Sequence, residues 1–384
     1  MNSIAIKMLI GDRAKYLGII MGITFASLLI TQQLAIFFGL LSRTYGAVTD
    51  LGLPDIWVMD PKVQFIDDLK PLQDTTLFRV RGIDGVEWAV PLYKGLIKAR
   101  LESGEFQTCN VFGLDDATLI GGPPTMIAGQ LADLRRADGV IVDDVGAATK
   151  LAKPGPDGTK IPLKIGDTLE LNDNRAIVVG TCRVSRTFQS QPVVYTTYTR
   201  ATRFAPKERK LLSFVLVRAK PGVAKAALCD RIFKQTGLTA LTAAEFKEKT
   251  VWYFMKYTGI PINFGIAVAL GFVVGTAIAG QTFYNFTLDN LKHFGALKAM
   301  GAGNGLLLRM ILLQGLLVGS IGYGLGVGAA ALIGYLARNS ELAFLLPWQV
   351  LVVTGVAVTL ICVFASLISI RKVIKLEPAI VFKS

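Results

Sequence analysis

The sequence predicts an α+β integral membrane protein, with four transmembrane helices and a large mixed α/β extracytoplasmic domain inserted between helices 1 and 2. The 384-residue chain contains four runs without Asp, Glu, Lys or Arg, at residues 16–41, 257–288, 310–337 and 342–370. Since about 20 apolar residues cross a bilayer core as a helix, each run is long enough to span it. A long polar segment separates the first run from the second, and short Lys/Arg-rich segments flank the runs.

The basic flanks predict the orientation of the chain. Short segments rich in Lys and Arg stay on the cytoplasmic side, and such segments precede run 1, separate runs 2 and 3, and follow run 4. We therefore expect a multi-pass protein of the inner (plasma) membrane, with both termini cytoplasmic and the large domain periplasmic. The predicted segments are a cytoplasmic N-terminal segment (1–15), transmembrane helix 1 (16–42), the extracytoplasmic domain (43–256), transmembrane helix 2 (257–286), a cytoplasmic segment (287–304), transmembrane helix 3 (305–337), an external turn (338–346), transmembrane helix 4 (347–370) and a cytoplasmic tail (371–384). Run 1 exceeds the 7–15 apolar residues of a signal peptide, so we expect an uncleaved anchor.

Within the large domain, short stretches rich in β-branched and aromatic residues predict strands. We expect them at 56–59, 86–90, 95–101, 106–112, 139–142, 168–171, 176–184, 193–198 and 213–218, with Pro91 separating the second from the third. Pro221 to Gln235 reads as a helix that Gly237 follows. Thr242 and Glu245 have capping-box spacing and open a helix towards helix 2, with a break near 259–261. Trp57 is expected in the core.

The composition argues against several classes of activity. The single histidine, His293, lies on the predicted cytoplasmic side, and no Gly-Lys-Ser/Thr sequence forms a P-loop. The acidic pairs 67/68, 115/116 and 143/144 read as solvated turns rather than carboxylate sites. The membrane runs hold no ionisable group of the kind that marks proton- or ion-driven transporters, and the dilute basic charge makes nucleic acid a poor partner. We therefore predict no catalytic, cofactor or metal site.

Cysteine spacing leaves the redox state open. Cys109, Cys182 and Cys229 fall in the large domain, and Cys362 falls in helix 4. A disulfide among the first three is compatible with an oxidising compartment, but buried free thiols are the favoured reading.

Glycines in helices 2 and 3 repeat at a spacing of four, which lets helix backbones approach closely. This pattern predicts packing within one subunit, and a dimer seam is a second use for one such face. With only four helices, we expect a homodimer. The candidate packing or dimer residues are Gly271, Gly275, Gly315, Gly319, Gly322 and Gly326.

The most specific stretch is Asn290-Leu-Lys-His-Phe-Gly-Ala-Leu-Lys-Ala-Met-Gly-Ala302, between helices 2 and 3. Its apolar residues recur at three-residue steps, as in an amphipathic helix. Such a helix either lies on the membrane surface or docks into a groove of another protein.

This stretch resembles the coupling region of MacB/FtsX-type ABC transporter permeases. Phe294-Gly295 and Leu297-Lys298-Ala299-Met300-Gly301-Ala302 match the family's pattern, whereas His293 stands where an acidic residue is usual. Leu376-Glu377-Pro378-Ala379 resembles the family's closing motif. The stretch Trp88-Ala-Val-Pro-Leu-Tyr-Lys94, together with Asn290-Leu-Lys, is most similar to the DevC-like branch.

The resemblance implies a fold and partners. The large domain is expected to have a βαβ porter-like part and a smaller β-rich inserted part. The chain is expected to bind a separate ABC ATPase that carries ATP and Mg, to pair with itself as a homodimer, and to contact membrane lipid, a periplasmic adaptor protein and an outer-membrane channel. ATP-driven motion would then be relayed to the large domain in a tripartite efflux system for a lipid-like or amphiphilic substrate. The residues expected to contact the ATPase are Leu291, Lys292, His293, Phe294, Gly295, Leu297, Lys298, Met300 and Gly301.

Two functions remain open at this point. The first is the export permease, which the size of the large domain favours. The second is an FtsX-like non-transporting regulator of an external cell-wall hydrolase. Both use the coupling helix, so both predict that Leu297→Asp or Met300→Asp abolishes ATPase stimulation and leaves folding intact.

Overall fold

The computed structural model describes residues 2–206 and 212–374 of the chain. The helices are α1 Asn2–Gly11, α2 Arg13–Asp50, α3 Thr75–Arg81, α4 Asp144–Ala148, α5 Tyr198–Phe204, α6 Lys225–Thr236, α7 Ala243–Tyr257, α8 Ile260–Asp289, α9 Leu291–Ala299, α10 Asn304–Leu336 and α11 Trp348–Ile374. The strands are β1 Ile56–Met59, β2 Val86–Arg100, β3 Phe106–Leu114, β4 Thr125–Ala128, β5 Gly139–Asp143, β6 Lys153–Pro154, β7 Lys160–Ile161, β8 Thr168–Leu171, β9 Asn174–Arg183, β10 Val193–Thr197, β11 Phe214–Ala219 and β12 Thr239–Thr242. Two compact units result: the large domain, Leu41–Thr258, and the helical unit, made of the residues before and after it.

The large domain is built on one mixed sheet whose strand order is β12-β1-β11-β2-β3-β10-β5-β9-β4. At one end, α3 and α6 cover β1, β2, β11 and β12 with an apolar cluster that includes Val80, Leu228 and Ile232. This layer of helices on a sheet corresponds to the predicted porter-like part.

The other end of the sheet closes into a barrel. Strand β8 pairs with β2 on one side and with β9 on the other, so six strands form a continuous ring in the order β2-β3-β10-β5-β9-β8. Closure leaves these strands without a free edge. The interior is filled by a separate apolar cluster that includes Val111, Val140, Val178 and Val194. This barrel is the β-rich part.

Strand β2 joins the two parts, and here the prediction of two strands separated by Pro91 is wrong. Residues 86–92 pair with β11, residues 93–100 pair with β3, and Pro91 lies opposite Val215 within one uninterrupted strand. Proline has no backbone N–H to donate, and it is tolerated where a strand pairs with a neighbouring strand on one side only. Pro91 lies in the half of β2 that pairs with β11, before pairing with β3 begins.

The end of helix α2 belongs to the core of the large domain. Val48, Leu51 and Trp57 are buried there, and the Trp57 ring lies 5.5 Å from those of Phe214 and Phe246. The expectation that Trp57 is a core residue is therefore confirmed. Helix α7 begins with the predicted capping box, in which the Thr242 hydroxyl accepts from the Glu245 N–H and the Glu245 carboxylate accepts from the Thr242 N–H.

Among the described residues, four helices are long and apolar enough to cross a membrane. They are α8, α10 and α11 of the helical unit and α2, whose residues up to Leu40 belong to that unit. Helix α7 ends at Tyr257 and α8 begins at Ile260, with Thr258 in an extended conformation and Pro261 near the start of α8. The backbone is therefore interrupted close to the predicted position, because proline is accommodated in the first turn of a helix and not in its interior.

Candidate functional site

The predicted coupling stretch forms the short helix α9, which follows α8 with almost no linker. The Asn290 N–H and side-chain amide both donate to the Phe286 carbonyl oxygen, at 3.2 and 2.9 Å, which closes the last turn of α8. The Asn290 carbonyl accepts the N–H of Phe294 at 3.1 Å and so starts α9. One asparagine therefore ends one helix and begins the next.

One face of α9 is packed inside the helical unit. Phe294 is fully buried and Leu297 is 6 % exposed, in a cluster with Leu307, Met310 and Ile370. An apolar side chain of this size contributes roughly 1.5–3 kcal/mol when it is fully buried. This face attaches α9 to helices α10 and α11.

The position of Leu297 corrects one sequence-based expectation. A buried Leu297 cannot offer its side chain to a partner, and an Asp at this position would place a carboxylate among apolar neighbours. Leu297→Asp is therefore expected to disturb the folding of this segment, contrary to the prediction that folding stays intact. The same burial assigns Phe294 and Gly295 to internal packing.

The C-terminus of α9 is fixed by a Schellman motif. The Gly301 N–H donates to the Lys298 carbonyl at 3.1 Å, and the Ala302 N–H donates to the Leu297 carbonyl at 3.0 Å. Gly301 has a φ of +93°, which glycine adopts without the steric cost that a side chain brings. Ala302 packs on the cluster that contains Leu297, which is the apolar contact typical of this motif.

The opposite face of α9 is exposed. Met300, the residue that follows α9, is 76 % exposed because the chain leaves the helix there, although its spacing continues the series of Phe294 and Leu297. Lys292, His293 and Ala296 are exposed as well. An exposed methionine is a flexible apolar contact surface of the kind that partner proteins bind.

The nine predicted coupling residues thus fall into two groups. Met300, Lys292, His293 and Gly301 are exposed, whereas the other five are buried or half-buried. Among these five, Lys298 is half-buried, and its ammonium donates to the Ile374 carbonyl at the end of α11, at 3.0 Å. The predicted closing motif at 376–379 lies outside the described residues.

Helix α1 is part of this site and was not expected from the sequence. Ala5 and Leu9 are fully buried, and the Ala5 carbonyl accepts a hydrogen bond of 2.7 Å from the buried side-chain amide of Gln314 in α10. The pairs Ile4/Ala5 and Met8/Leu9 recur four residues apart, a weak helical signal in the printed sequence. Gln314 therefore has an internal role in helix packing.

The six predicted packing glycines all lie where helices of the helical unit meet. A Cβ on Gly271 would contact Ile30 at 3.4 Å, and Gly275 faces Ala26 of α2. Gly315 and Gly319 face α11, whereas Gly322 and Gly326 face α2. The distance from an added Cβ to the nearest neighbouring atom would be too short at all four: Gly315 (2.7 Å), Gly319 (2.6 Å), Gly322 (2.7 Å) and Gly326 (2.5 Å).

The acidic pairs of the large domain have structural partners. The solvated-turn expectation is wrong for Asp143, which is 8 % exposed and accepts the N–H groups of Gly146 (2.7 Å) and Val193 (2.6 Å). Burial raises the pKa of the Asp143 carboxyl, although these two N–H groups oppose the rise. Asp143 therefore caps helix α4 and fixes the start of β10.

The thiols and metal-binding side chains give no sign of a reactive centre in the described residues. All four cysteines are free and buried, which answers the question that the spacing left open. Burial raises the pKa of the Cys229 thiol to about 11 and that of Cys109 and Cys182 further. Residues 2–206 and 212–374 contain no cluster of three or more His, Cys, Asp or Glu that could hold a metal ion.

Comparison with known proteins agrees with this architecture. The family profile of the MacB-like periplasmic core domain matches residues 16–233, and that of the FtsX-like permease C-terminal region matches residues 265–378. No curated protein matches the chain.

Two solved structures are similar to about half of the chain. The extracellular domain of the noncanonic ABC-type transporter YknZ from Gram-positive bacteria is 11 % identical, with a TM-score of 0.33, over 49 % of this chain and 98 % of that one. The periplasmic region of MacB from Actinobacillus actinomycetemcomitans is 12 % identical, with a TM-score of 0.35, over 52 % and 94 %. The family assignment rests on the two profiles, the first of which covers more than half of the chain. The chain therefore belongs to the MacB/FtsX-like family of ABC transporter permeases, which implies that it is a membrane subunit with a separate ABC ATPase as its partner.

Proposed function

We propose that this chain is the permease subunit of an ABC-type exporter, and that the exposed face of α9 is where the ATPase docks. The observation that carries the proposal is Met300, which is 76 % exposed at the C-terminal end of a helix whose inner face is packed. A surface helix attached in this way transmits a push on its outer face to the helices beneath it. The absence of a P-loop from the printed sequence fits an ATPase on another chain.

The attachment of α9 supports a relay of motion rather than a loose contact. Its inner face packs on residues of α10 and α11, and its first residue continues directly from α8. Movement of α9 would therefore act on three membrane helices together. In this proposal, that movement reaches the large domain, and the helices themselves need no charged pathway.

The remaining features of the proposal come from the charge pattern and the family resemblance. Both termini and α9 are cytoplasmic and the large domain is periplasmic, as the basic flanks predict. Two copies of the chain form the functional unit, using surfaces other than the six glycines already occupied within one copy. A periplasmic adaptor and an outer-membrane channel complete a tripartite system of the DevC-like type, which exports a lipid-like or amphiphilic molecule.

The test is affinity purification of the full chain from mild detergent, with quantitative mass spectrometry of the proteins that accompany it. We expect an ABC ATPase in stoichiometric amount. Met300→Asp should reduce it at least tenfold, because a carboxylate buried at an apolar contact costs more than the 1.4 kcal/mol that a tenfold loss requires. Met255→Asp is the matched control, since Met255 is also exposed (41 %) but lies on α7 of the large domain.

The accompanying proteins separate the outcomes. A coiled-coil adaptor beside the ATPase supports the exporter, whereas a cell-wall hydrolase in its place would favour the regulator. Absence of any ATPase, or equal recovery with Met300→Asp and Met255→Asp, would contradict docking at α9.

A further inference from the structure

We propose that the large domain contains a binding site for a neutral amphiphilic molecule, in a cavity beside the middle of strand β2. The cavity has a volume of about 660 Å³ and lies entirely within the large domain. Its wall comes from the segment before α3, from β2, from the connection between β9 and β10, and from α7. Cavities of roughly 300–1,000 Å³ with mainly apolar walls and a few polar groups are typical of small-molecule sites.

One wall of the cavity is aromatic. Phe65 stacks on Tyr253 with ring centres 4.5 Å apart, and Phe254 lies 5.4 Å from Phe65 and 5.2 Å from Phe188. Phe65 and Phe188 remain half-buried. These two rings therefore keep apolar surface facing the cavity, where an alkyl or ring system can cover it. Leu69 and Leu96 extend the apolar lining.

The polar part of the lining is unusual because it holds a buried charge. The Lys94 side chain is 2 % exposed, and its ammonium pairs with Asp67, whose side chain is 43 % exposed. The Lys94 ammonium also lies 5.6 Å from the centre of the Phe112 ring. Next to this pair, Asp68 binds Lys70 at 2.7 Å. The Lys94 main chain is held by Ser213, whose hydroxyl accepts from the Lys94 N–H at 2.9 Å and donates to the Lys94 carbonyl at 3.0 Å.

This charge arrangement selects the class of ligand. Two carboxylates and two ammonium groups face the cavity as two ion pairs, so the lining is neutral as a whole. A ligand with a net charge would have to enter a lining in which each charge already has a partner. A carboxylate still accepts further hydrogen bonds after it has formed one ion pair. Hydroxyl or amide groups of a neutral head can therefore donate to Asp67 and Asp68, while the apolar part of the molecule lies on Phe65 and Phe188.

Gly95 keeps the cavity wall open. A Cβ at Gly95 would lie 2.8 Å from Cζ and 3.0 Å from Cε1 of the Tyr93 ring, two residues away on the same face of β2. Because Gly95 has no side chain, the Tyr93 ring can lie directly over it, and both residues line the cavity. The inference rests on the proposed function only for the further step of naming the bound amphiphile as the transported molecule.

The test uses the full chain in phosphatidylcholine nanodiscs and a dodecyl glucoside whose alkyl chain carries a diazirine. After irradiation, mass spectrometry locates the adducts. We expect adducts in residues 65–71 and 188–191, and we expect excess unmodified dodecyl glucoside to suppress them. Gln189→Trp places an indole at the exposed rim of the cavity and should lower these adducts at least tenfold. Gln235→Trp, the same change at an exposed position of α6, should leave them at the wild-type level.

Three results would overturn the proposal. The first is adducts confined to the membrane helices. The second is adducts at 65–71 and 188–191 that Gln189→Trp leaves unchanged. The third is stronger competition by dodecyl sulfate or dodecyltrimethylammonium than by dodecyl glucoside, which would refute the neutral headgroup. The photolabelling needs no ATPase, whereas the proposal that the ATPase docks at α9 is tested by the recovery of the ATPase with Met300→Asp. The two proposals can therefore fail independently.

Discussion

Replacement of Gly301 by alanine tests how α9 is held, because the added methyl group meets no neighbour and acts only through the backbone conformation. Gly301 has a φ of +93°, and no atom lies within 4 Å of the Cβ that alanine would add. Any effect must therefore come from the conformation of the backbone. A side chain in such a sparsely populated region costs about 1–3 kcal/mol. The Schellman hydrogen bonds from Gly301 and Ala302 are the interactions that this cost weakens.

This conformational cost predicts a change in the rate of amide hydrogen exchange. If the free energy of opening the C-terminal turn of α9 falls by about 1–3 kcal/mol, the open state is populated about 5–150 times more often. Amide hydrogen exchange reports such local opening. In Gly301→Ala, the amide of Ala302 should therefore exchange about 5–150 times faster than in the wild type, while amides in the middle of α10 keep their rates.

Gly303→Ala is the matched control for this measurement. Gly303 lies two residues further on, has a φ of −70°, and also has no atom within 4 Å of an added Cβ. Hydrogen exchange of the full chain in nanodiscs, resolved by peptide mass spectrometry, compares the two variants. Equal exchange of the 296–302 peptide in both would refute the Schellman motif as the device that fixes α9.

Three further predictions concern other parts of the chain. Asp67→Asn removes the charge that pairs with the buried ammonium of Lys94 and should lower the free energy of unfolding by about 3 kcal/mol. Lys94→Met should lower it clearly less, because water reaches the remaining Asp67 carboxylate. Thermal unfolding compares the two variants, and equal losses of stability would contradict this asymmetry. A Cβ at Gly326 would lie 2.7 Å from a backbone carbonyl oxygen of α2, whereas no atom lies within 4 Å of a Cβ at Gly328. Gly326→Leu should therefore destabilise the chain by about 1–3 kcal/mol, and Gly328→Leu should not, as thermal unfolding of the two variants would show. Burial raises the pKa of Cys229 to about 11, so its alkylation in the folded chain should accelerate about tenfold per pH unit from pH 7 to 10, since the thiolate is the reactive form; a plateau near pH 9 would contradict this.

The sequence predicted features that depend on local pattern and on length. Four charge-free runs marked the four helices that, in the part of the chain that the structure describes, are long and apolar enough to span a membrane. The bilayer sets a length that few soluble helices need. The Thr242/Glu245 capping box was recognisable because both partners lie within one turn. Gly237 was recognisable as a helix end, and it has the left-handed conformation expected there, with a φ of 73°.

Features that depend on distant contacts were not predictable. The barrel closes because β8 pairs with both β2 and β9, and no local pattern encodes which strands meet. Asp143 is buried because the N–H groups of Gly146 and Val193 satisfy its carboxylate, and Val193 is 50 residues away in the chain. The same reason explains the error at Leu297, since three-residue spacing shows that α9 has an apolar face but not that α10 and α11 already cover it.

The most direct test of docking at α9 is photo-crosslinking in the intact membrane from one position within this helix and from the residue that follows it. A benzophenone-bearing residue replaces Met300, which is exposed, or in a second variant Leu297, which is buried. If the ATPase docks here, position 300 gives a crosslink to an ABC ATPase, and position 297 gives crosslinks only within the chain. Crosslinks from position 300 to lipid alone would contradict this docking, because α9 would then be a membrane-surface helix and not the site at which the ATPase docks.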